Sequence, residues 1–261
     1  MGSVRKRSIL AVWKDVIFAI FVRQIRSKFN DKLGVSWSVV SPLIFIMVLT
    51  LIRGSIDGGE THTLPTFFFM VYGILLIRFF METLSVISSS INSSKPLFAF
   101  RQVQPISAVI AIALFELLSR IVVVICIFII AYFLRVEISI SNLLGVMFCF
   151  FQIWILATSI GLLLSLIICY IPEVNKVRTL LLRPLIFISG AFFSLQDIPP
   201  ELWKYFTWNP ILHAIEYSRH FAYSTYSIDG LDIMYLNFVT LIFFFFSLCC
   251  YHATWKHAIN R

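Results

Sequence analysis

Six stretches of this chain are apolar and long enough to cross a bilayer: residues 33–52, 64–87, 106–134, 142–169, 179–195 and 233–251. Each is near the ~20 residues that cover about 30 Å of hydrocarbon as a helix. A soluble core of 261 residues could not bury so much apolar surface, since 59% of the residues are hydrophobic and 27 are Phe. Lipid must be the solvent. A spanning segment has to satisfy its own backbone hydrogen bonds there, so the expected fold is an all-α integral membrane protein with six transmembrane helices.

Charge then orients the spans. Fifteen of the 21 basic residues fall before residue 33, in 88–105, in 170–183 and after 251. Connections 53–63, 135–141 and 196–232 hold four (Arg53, Arg135, Lys204, Arg219) against eight acids. The positive-inside rule makes both termini cytoplasmic and places 196–232 outside. The net charge of +8 is thus spread along one membrane face and carries no nucleic-acid signature.

Several classes drop out. The first thirty residues alternate charged and apolar positions and lack a small-residue cleavage site, so no cleavable signal peptide is expected. All five cysteines lie within proposed spans and should act as small packing residues without a disulfide. No Gly-x-x-x-x-Gly-Lys-Ser/Thr, Cys-x-x-Cys or His-Glu-x-x-His occurs. If ATP is consumed, another chain binds it, and no cofactor or metal is expected on this one.

Residues 8–29 should form an amphipathic helix, with Ser8 as cap, Trp13, Ile17, Ile20 and Phe21 on one face, and Arg23, Arg26 and Lys28 in the last turn. Such a helix can lie along the cytoplasmic interface, so residues 1–32 are read as an interface element and 33–261 as the transmembrane domain. Four ionisable residues sit inside spans, where each costs roughly 2.5–3.5 kcal/mol if left facing lipid. Arg78 and Glu82 are four apart on the second span, and Glu116 and Arg120 four apart on the third, so each helix can neutralise itself. Arg78 and Glu116 lie at matching depth, which permits a cross-helix pair. These charges either hold two helices together or line a polar route.

Segment 196–232 is too apolar for a solvated loop. Pro200 can open one short helix, and Asn209 with Pro210 is a start signal for a second. Trp203, Trp208 and their aromatic neighbours suit the bilayer interface, so a re-entrant periplasmic hairpin is expected between the fifth and sixth spans. On its second arm His213, Glu216 and Arg219 recur every three residues. A metal reading is weak with so few ligands, and an internal hydrogen-bond and ion-pair network serves as well.

Leu33-Gly34-x-x-Trp37-x-x-x-x-Pro42, Leu97-Phe98-x-x-Arg101-x-Val103-x-Pro105-Ile106, Pro172-Glu173-x-x-Lys176-Val177, the run Arg183-Pro184 to Ser189, Ile198-Pro199 and Trp208-Asn209-Pro210-x-x-His213-x-x-Glu216-x-x-Arg219 follow in order along the chain. Together they resemble the permease subunit of bacterial ABC transporters that export capsular polysaccharide, a type-2 exporter family related to O-antigen and teichoic-acid exporters. The resemblance implies a homodimer, two copies of a separate ATP-binding cassette subunit carrying ATP and Mg, and a lipid-linked polysaccharide moving outward across the bacterial inner membrane, with periplasmic and outer-membrane components beyond. It implies a coupling loop over 88–105, with Leu97, Phe98 and Arg101 at the ATPase contact, and an outer gate in the hairpin. Two other readings stand beside it: a permease of the same architecture for another glycan, a lipid or a drug, and an intramembrane transferase using Glu116 or His213 and Glu216 as acid or base.

Overall fold

The computed structural model describes residues 8–30, 32–100, 102–136 and 138–259, and these are almost wholly helical. Arg101, residues 5–7, Glu137 and Arg261 lie outside the described residues. α1 (Ile9–Asn30) leads into α2 (Lys32–Asp57), a two-residue hairpin of β1 (Glu60–Thr61) and β2 (Leu64–Pro65), and α3 (Thr66–Ser88). α4 (Ser90–Ser94) and a 3-10 turn (Lys95–Ala99) precede α5 (Pro105–Phe133), α6 (Leu143–Tyr170) and α7 (Val174–Ile188). Two further 3-10 segments, Leu195–Asp197 and Pro200–Tyr205, lead to α8 (Pro210–Ala222) and α9 (Ile233–Ile259).

Five of these helices carry windows long and apolar enough to span: Val40–Asp57, Thr66–Ser88, Pro105–Phe133, Leu143–Tyr170 and Ile233–Lys256. They match five of the expected spans. The sixth differs, because α7 has 15 residues and reaches only about 22 Å at 1.5 Å per residue. Residues 189–195 leave the helix at Gly190, whose φ of +69° is open to a residue without Cβ. Lys176, Arg178 and Arg183 also keep α7 from reading as an apolar window.

α3 is the axis of the bundle. Its window is 83% buried, whereas those of α2 and α9 are 17% buried. Phe68, Phe69, Ile74, Leu76 and Ile77 of α3 are all buried, packing against α2, α5 and α6 residues such as Ile46, Ile127 and Ile153. The outer helices turn apolar side chains outward instead, among them Ile44, Leu51 and Ile56 of α2 and Phe238, Phe245 and Phe246 of α9. Faces so apolar need hydrocarbon or another protein surface.

α1 forms where expected, with the Ala11 N–H donating to Ser8 Oγ at 3.3 Å. Its apolar face, however, packs on protein: Ile20 is buried with Ile17 and Phe21 against Ala108 and Ala111 of α5. Phe21 and Phe115 meet edge to face at 6.3 Å.

Candidate functional site

The residues expected to form a gate build a clamp at one end of the bundle. Arg219 on α8 is fully buried. Its guanidinium donates to the Phe69 carbonyl (3.3 and 3.2 Å), to the carbonyls of Ala191 and Phe193 (3.2 Å each) and to Glu216 Oε1 at 2.9 Å. Those five bonds employ its full donor set, and its Cζ lies 3.6 Å from the Phe69 ring centroid. One side chain thus ties α8 to α3 and to the turn after α7. Gly73, one turn beyond Phe69, leaves the space: a Cβ there would stand 2.7 Å from Arg219 Nη2.

Glu216 balances the buried cation. Its carboxylate accepts from Arg219, from the Tyr226 hydroxyl at 2.6 Å and from Ser194 Oγ at 3.4 Å, while Ser194 and Tyr226 are themselves 2.6 Å apart. A buried pair survives when its remaining lone pairs are satisfied, and here they are. His213 does not join this network. Its ring accepts from the Asp232 N–H at 3.2 Å and donates to the Thr207 carbonyl at 2.7 Å, with the Tyr235 ring centroid 4.9 Å away at a tilt of 41°. His213 therefore fastens the start of α9: of the expected network, Glu216 and Arg219 pair while His213 bonds elsewhere. Among the described residues, no three His, Cys, Asp or Glu side chains converge as a metal set.

Asn209 and Pro210 start α8 as the sequence suggests. Asn209 Oδ1 accepts from the Ile211 N–H at 3.0 Å, and its Nδ2 reaches back to the Ile188 carbonyl at 3.2 Å, so one buried side chain caps the start of α8 and the end of α7. The first hairpin arm is a 3-10 helix with Pro200 at its start. Trp203 donates to the Ile198 carbonyl at 2.8 Å and covers Gly230, whereas Trp208 is 60% exposed and suits an interface anchor.

A second polar layer lies outside this clamp, and sequence reasoning missed it. Arg53, at the end of α2, bonds Asp57 at 2.8 Å, Asp197 at 2.9 Å and the Phe192 carbonyl. Asp197 also takes His62 at 2.7 Å and the Ser194 N–H at 2.9 Å. Burial opposes ionisation of Asp197, but the Ser194 N–H, Arg53 and His62 outweigh it and hold the carboxyl below the usual range. The β1–β2 turn puts His62 and Thr63 at φ 49° and 70°, a conformation costly for a β-branched residue. Their side chains hold it to the hairpin, through Asp197 and through Thr225 at 3.0 Å. Arg53 and Asp57 at i,i+4 and the Ser194-x-x-Asp197 capping box were the available signals.

Of the two i,i+4 pairs expected among the four intramembrane charges, Arg78–Glu82 is present and Glu116–Arg120 is not. Arg120 of α5 bonds Glu82 of α3 across the helices. Glu116 turns to Lys28 of α1 at 3.5 Å, and Lys28 also sits 5.3 Å from the Phe115 ring centroid. Arg78 keeps a loose 4.0 Å contact to Glu82, stacks on Phe45 and donates to Ser41. The expected Glu116–Arg120 pair and the Arg78–Glu116 alternative are replaced by links to other elements, because a charge on a helix flank reaches a facing helix as easily as its own next turn.

In the 88–105 segment, Leu97 and Phe98 are half-buried against Ile20, Ala108 and Ala111. They join α1 to α5 more than they face outward. Phe100, 64% exposed, is the outward apolar residue, and Arg101 lies outside the described residues.

The profile of the ABC-2 type transporter family matches residues 15–223. The chain belongs to that family. The match runs from within α1 to the end of α8, so it takes in the 88–105 segment, the four intramembrane charges and the Glu216–Arg219 clamp. The chain is similar to the polysialic acid transport protein KpsM of Escherichia coli, 32% identical over 95% of this chain and 96% of that one. It also resembles the capsule polysaccharide export inner-membrane proteins CtrC of Neisseria meningitidis serogroup B (24% identical, 95% of each) and BexB of Haemophilus influenzae (24%, over 81% and 80%).

Proposed function

We propose that this chain is the membrane subunit of an ATP-driven exporter that carries a lipid-linked capsular polysaccharide across the bacterial inner membrane. The observation that carries this reading is the likeness to a polysialic acid transport protein over 95% of the chain. In this reading two copies form the channel and two ATP-binding cassette subunits, holding ATP and Mg, drive it. The chain itself performs no chemistry.

The termini are cytoplasmic, α1 lies at the inner interface, and α7 with the turn that follows it makes a sixth crossing. The 196–232 hairpin then returns through the outer leaflet as a gate, and the 88–105 segment couples to the ATPase. The apolar outward faces of α2 and α9 support both a lipid surround and a second copy.

Deletion of the gene should abolish surface capsule and leave polysaccharide inside the cell, with restoration by the intact chain. Surface capsule at the level of the undeleted strain would overturn the reading. The transferase alternative requires the purified chain alone to modify a lipid-linked sugar.

A further inference from the structure

We infer that a polar groove between α1 and the α3–α4 corner binds the phosphate of an anionic membrane lipid. This rests on the topology proposed above, which puts that corner at the cytoplasmic leaflet. The groove has a volume of about 620 Å³, and Arg23 and Ser27 of α1 and Ser85, Ser89 and Ser93 of the corner line it. Residues four apart share a helix face, so α1 contributes a short polar stripe and the corner a ladder of three hydroxyls. The Ser93 N–H bonds the Ser89 carbonyl at 3.0 Å, which carries the helical register across the junction of α3 and α4.

The charge balance selects an anion. Among the described residues no carboxylate lines the groove, and Glu82 of α3 and Glu116 of α5 are taken by Arg120 and by Lys28. A second guanidinium borders it: Arg178 of α7 donates to the Ser85 carbonyl at 3.0 Å and lies 3.5 Å from Ser89 Oγ. Ser89 and Ser93 hydroxyls rest on carbonyls of their own helix, at 3.3 and 3.1 Å, and a χ1 rotation frees them as donors. A guanidinium flanked by several hydroxyl donors suits a tetrahedral, multiply accepting phosphate better than a flat carboxylate. Gln24 of α1, Val86, 38% exposed, and Ile112 complete the wall, and the last two let the ligand present apolar surface beside its phosphate, as a lipid does and a free ion does not.

The test is lipid retention by the purified full-length chain, counted by native mass spectrometry after exchange into detergent with phosphatidylglycerol and phosphatidylcholine of identical acyl chains. The wild type should prefer phosphatidylglycerol by about tenfold, since both lipids carry the phosphate but phosphatidylcholine brings a choline cation that Arg23 repels. Arg23→Gln and Ser89→Ala/Ser93→Ala should each remove most of that preference. Arg23 and Ser93 are exposed and half-buried Ser89 loses only a long bond to its own helix and a 3.5 Å contact with Arg178, so the fold should hold in both variants. Equal retention of the two lipids by the wild type, or a preference the variants keep, would overturn the site. Displacement of the lipid by millimolar inorganic phosphate would refute the lipid assignment. Lost ATPase co-purification in Arg23→Gln with unchanged lipid retention would make the groove a protein contact instead. The readout is binding by the isolated chain, so a negative result leaves the export reading standing.

Discussion

Glu216→Gln keeps the shape of the buried carboxylate and removes its charge. In the wild type three donors converge on it: Arg219 at 2.9 Å, Tyr226 at 2.6 Å and Ser194 at 3.4 Å. The amide oxygen can still accept from Arg219 while its NH₂ donates to the Tyr226 or Ser194 hydroxyl, so the loss is chiefly that of the negative charge. Arg219 is left as an uncompensated cation with no exposed surface, held only by neutral carbonyls. Breaking a buried pair from one side costs about 3–5 kcal/mol, and retained acceptance by the amide should bring this to about 2–3 kcal/mol. Arg219→Met should cost at least as much, since it also strips donors from the Phe69, Ala191 and Phe193 carbonyls. The assay is thermal unfolding of the detergent-solubilised protein followed by fluorescence-detected size exclusion, with capsule export measured in cells. Both variants should melt well below wild type, and export should fall while the ATPase still co-purifies. A Glu216→Gln protein with unchanged melting and export would refute the clamp.

Phe100→Ala should reduce co-purification of the ATPase at unchanged melting temperature, and Phe98→Ala should lower melting by about 2–4 kcal/mol of lost α1–α5 packing; the opposite pattern would restore Phe98 as the contact. Asp197 has a folded pKa below its unfolded value near 3.9, so it adds stability above about pH 4 that is lost as pH falls through its folded value. Asp197→Asn should therefore weaken the acid-side loss of stability while lowering the neutral plateau by no more than about 1 kcal/mol, given partial screening by solvent; a pH–melting curve identical to wild type would refute this. A Cys at Lys95 should react only from the cytoplasm and one at Asp229 only from outside, and the reverse would invert the topology.

What was legible in the sequence was local. Apolar runs marked five spans, and Ser8 and Asn209-Pro210 marked helix starts, because a cap and its target lie within one turn. Contacts whose partner is a backbone carbonyl were not legible: nothing in residues 69, 191 or 193 advertises that Arg219 will choose their oxygens, 150, 28 and 26 positions away. The i,i+4 rule misassigned Arg120 because it weighs neighbours on one helix and ignores a facing one. The same local view extended the fifth span through Gly190, where a positive φ ends the helix. Phe98 lies in the short 3-10 turn and packs on the α1–α5 contact, whereas Phe100 follows the turn in extended backbone, a difference the sequence does not mark.

α7 shows how these polar contacts bear on the whole bundle. None of its residues is fully buried; Leu182, Leu185 and Ile186 pack half-buried on the core, and polar contacts hold both ends. Near its start, Arg178 reaches the Ser85 carbonyl and the Ser88 hydroxyl of α3. Just past its end, the Ala191 and Phe193 carbonyls are held by Arg219, which in turn grips Phe69 of α3, and Asn209 caps the Ile188 carbonyl. Both attachments are thus guanidinium bridges to the same buried helix, about 24 Å apart along it from Ser85 to Phe69. A helix fixed at its two ends, with Leu182, Leu185 and Ile186 half-buried against the core, presents Val177, Leu180, Leu181 and Phe187 outward to whatever adjoins it. Since α3 is the most buried helix and the bridges bond mainly to its backbone, a shift of α3 along its axis would displace both ends of α7 together.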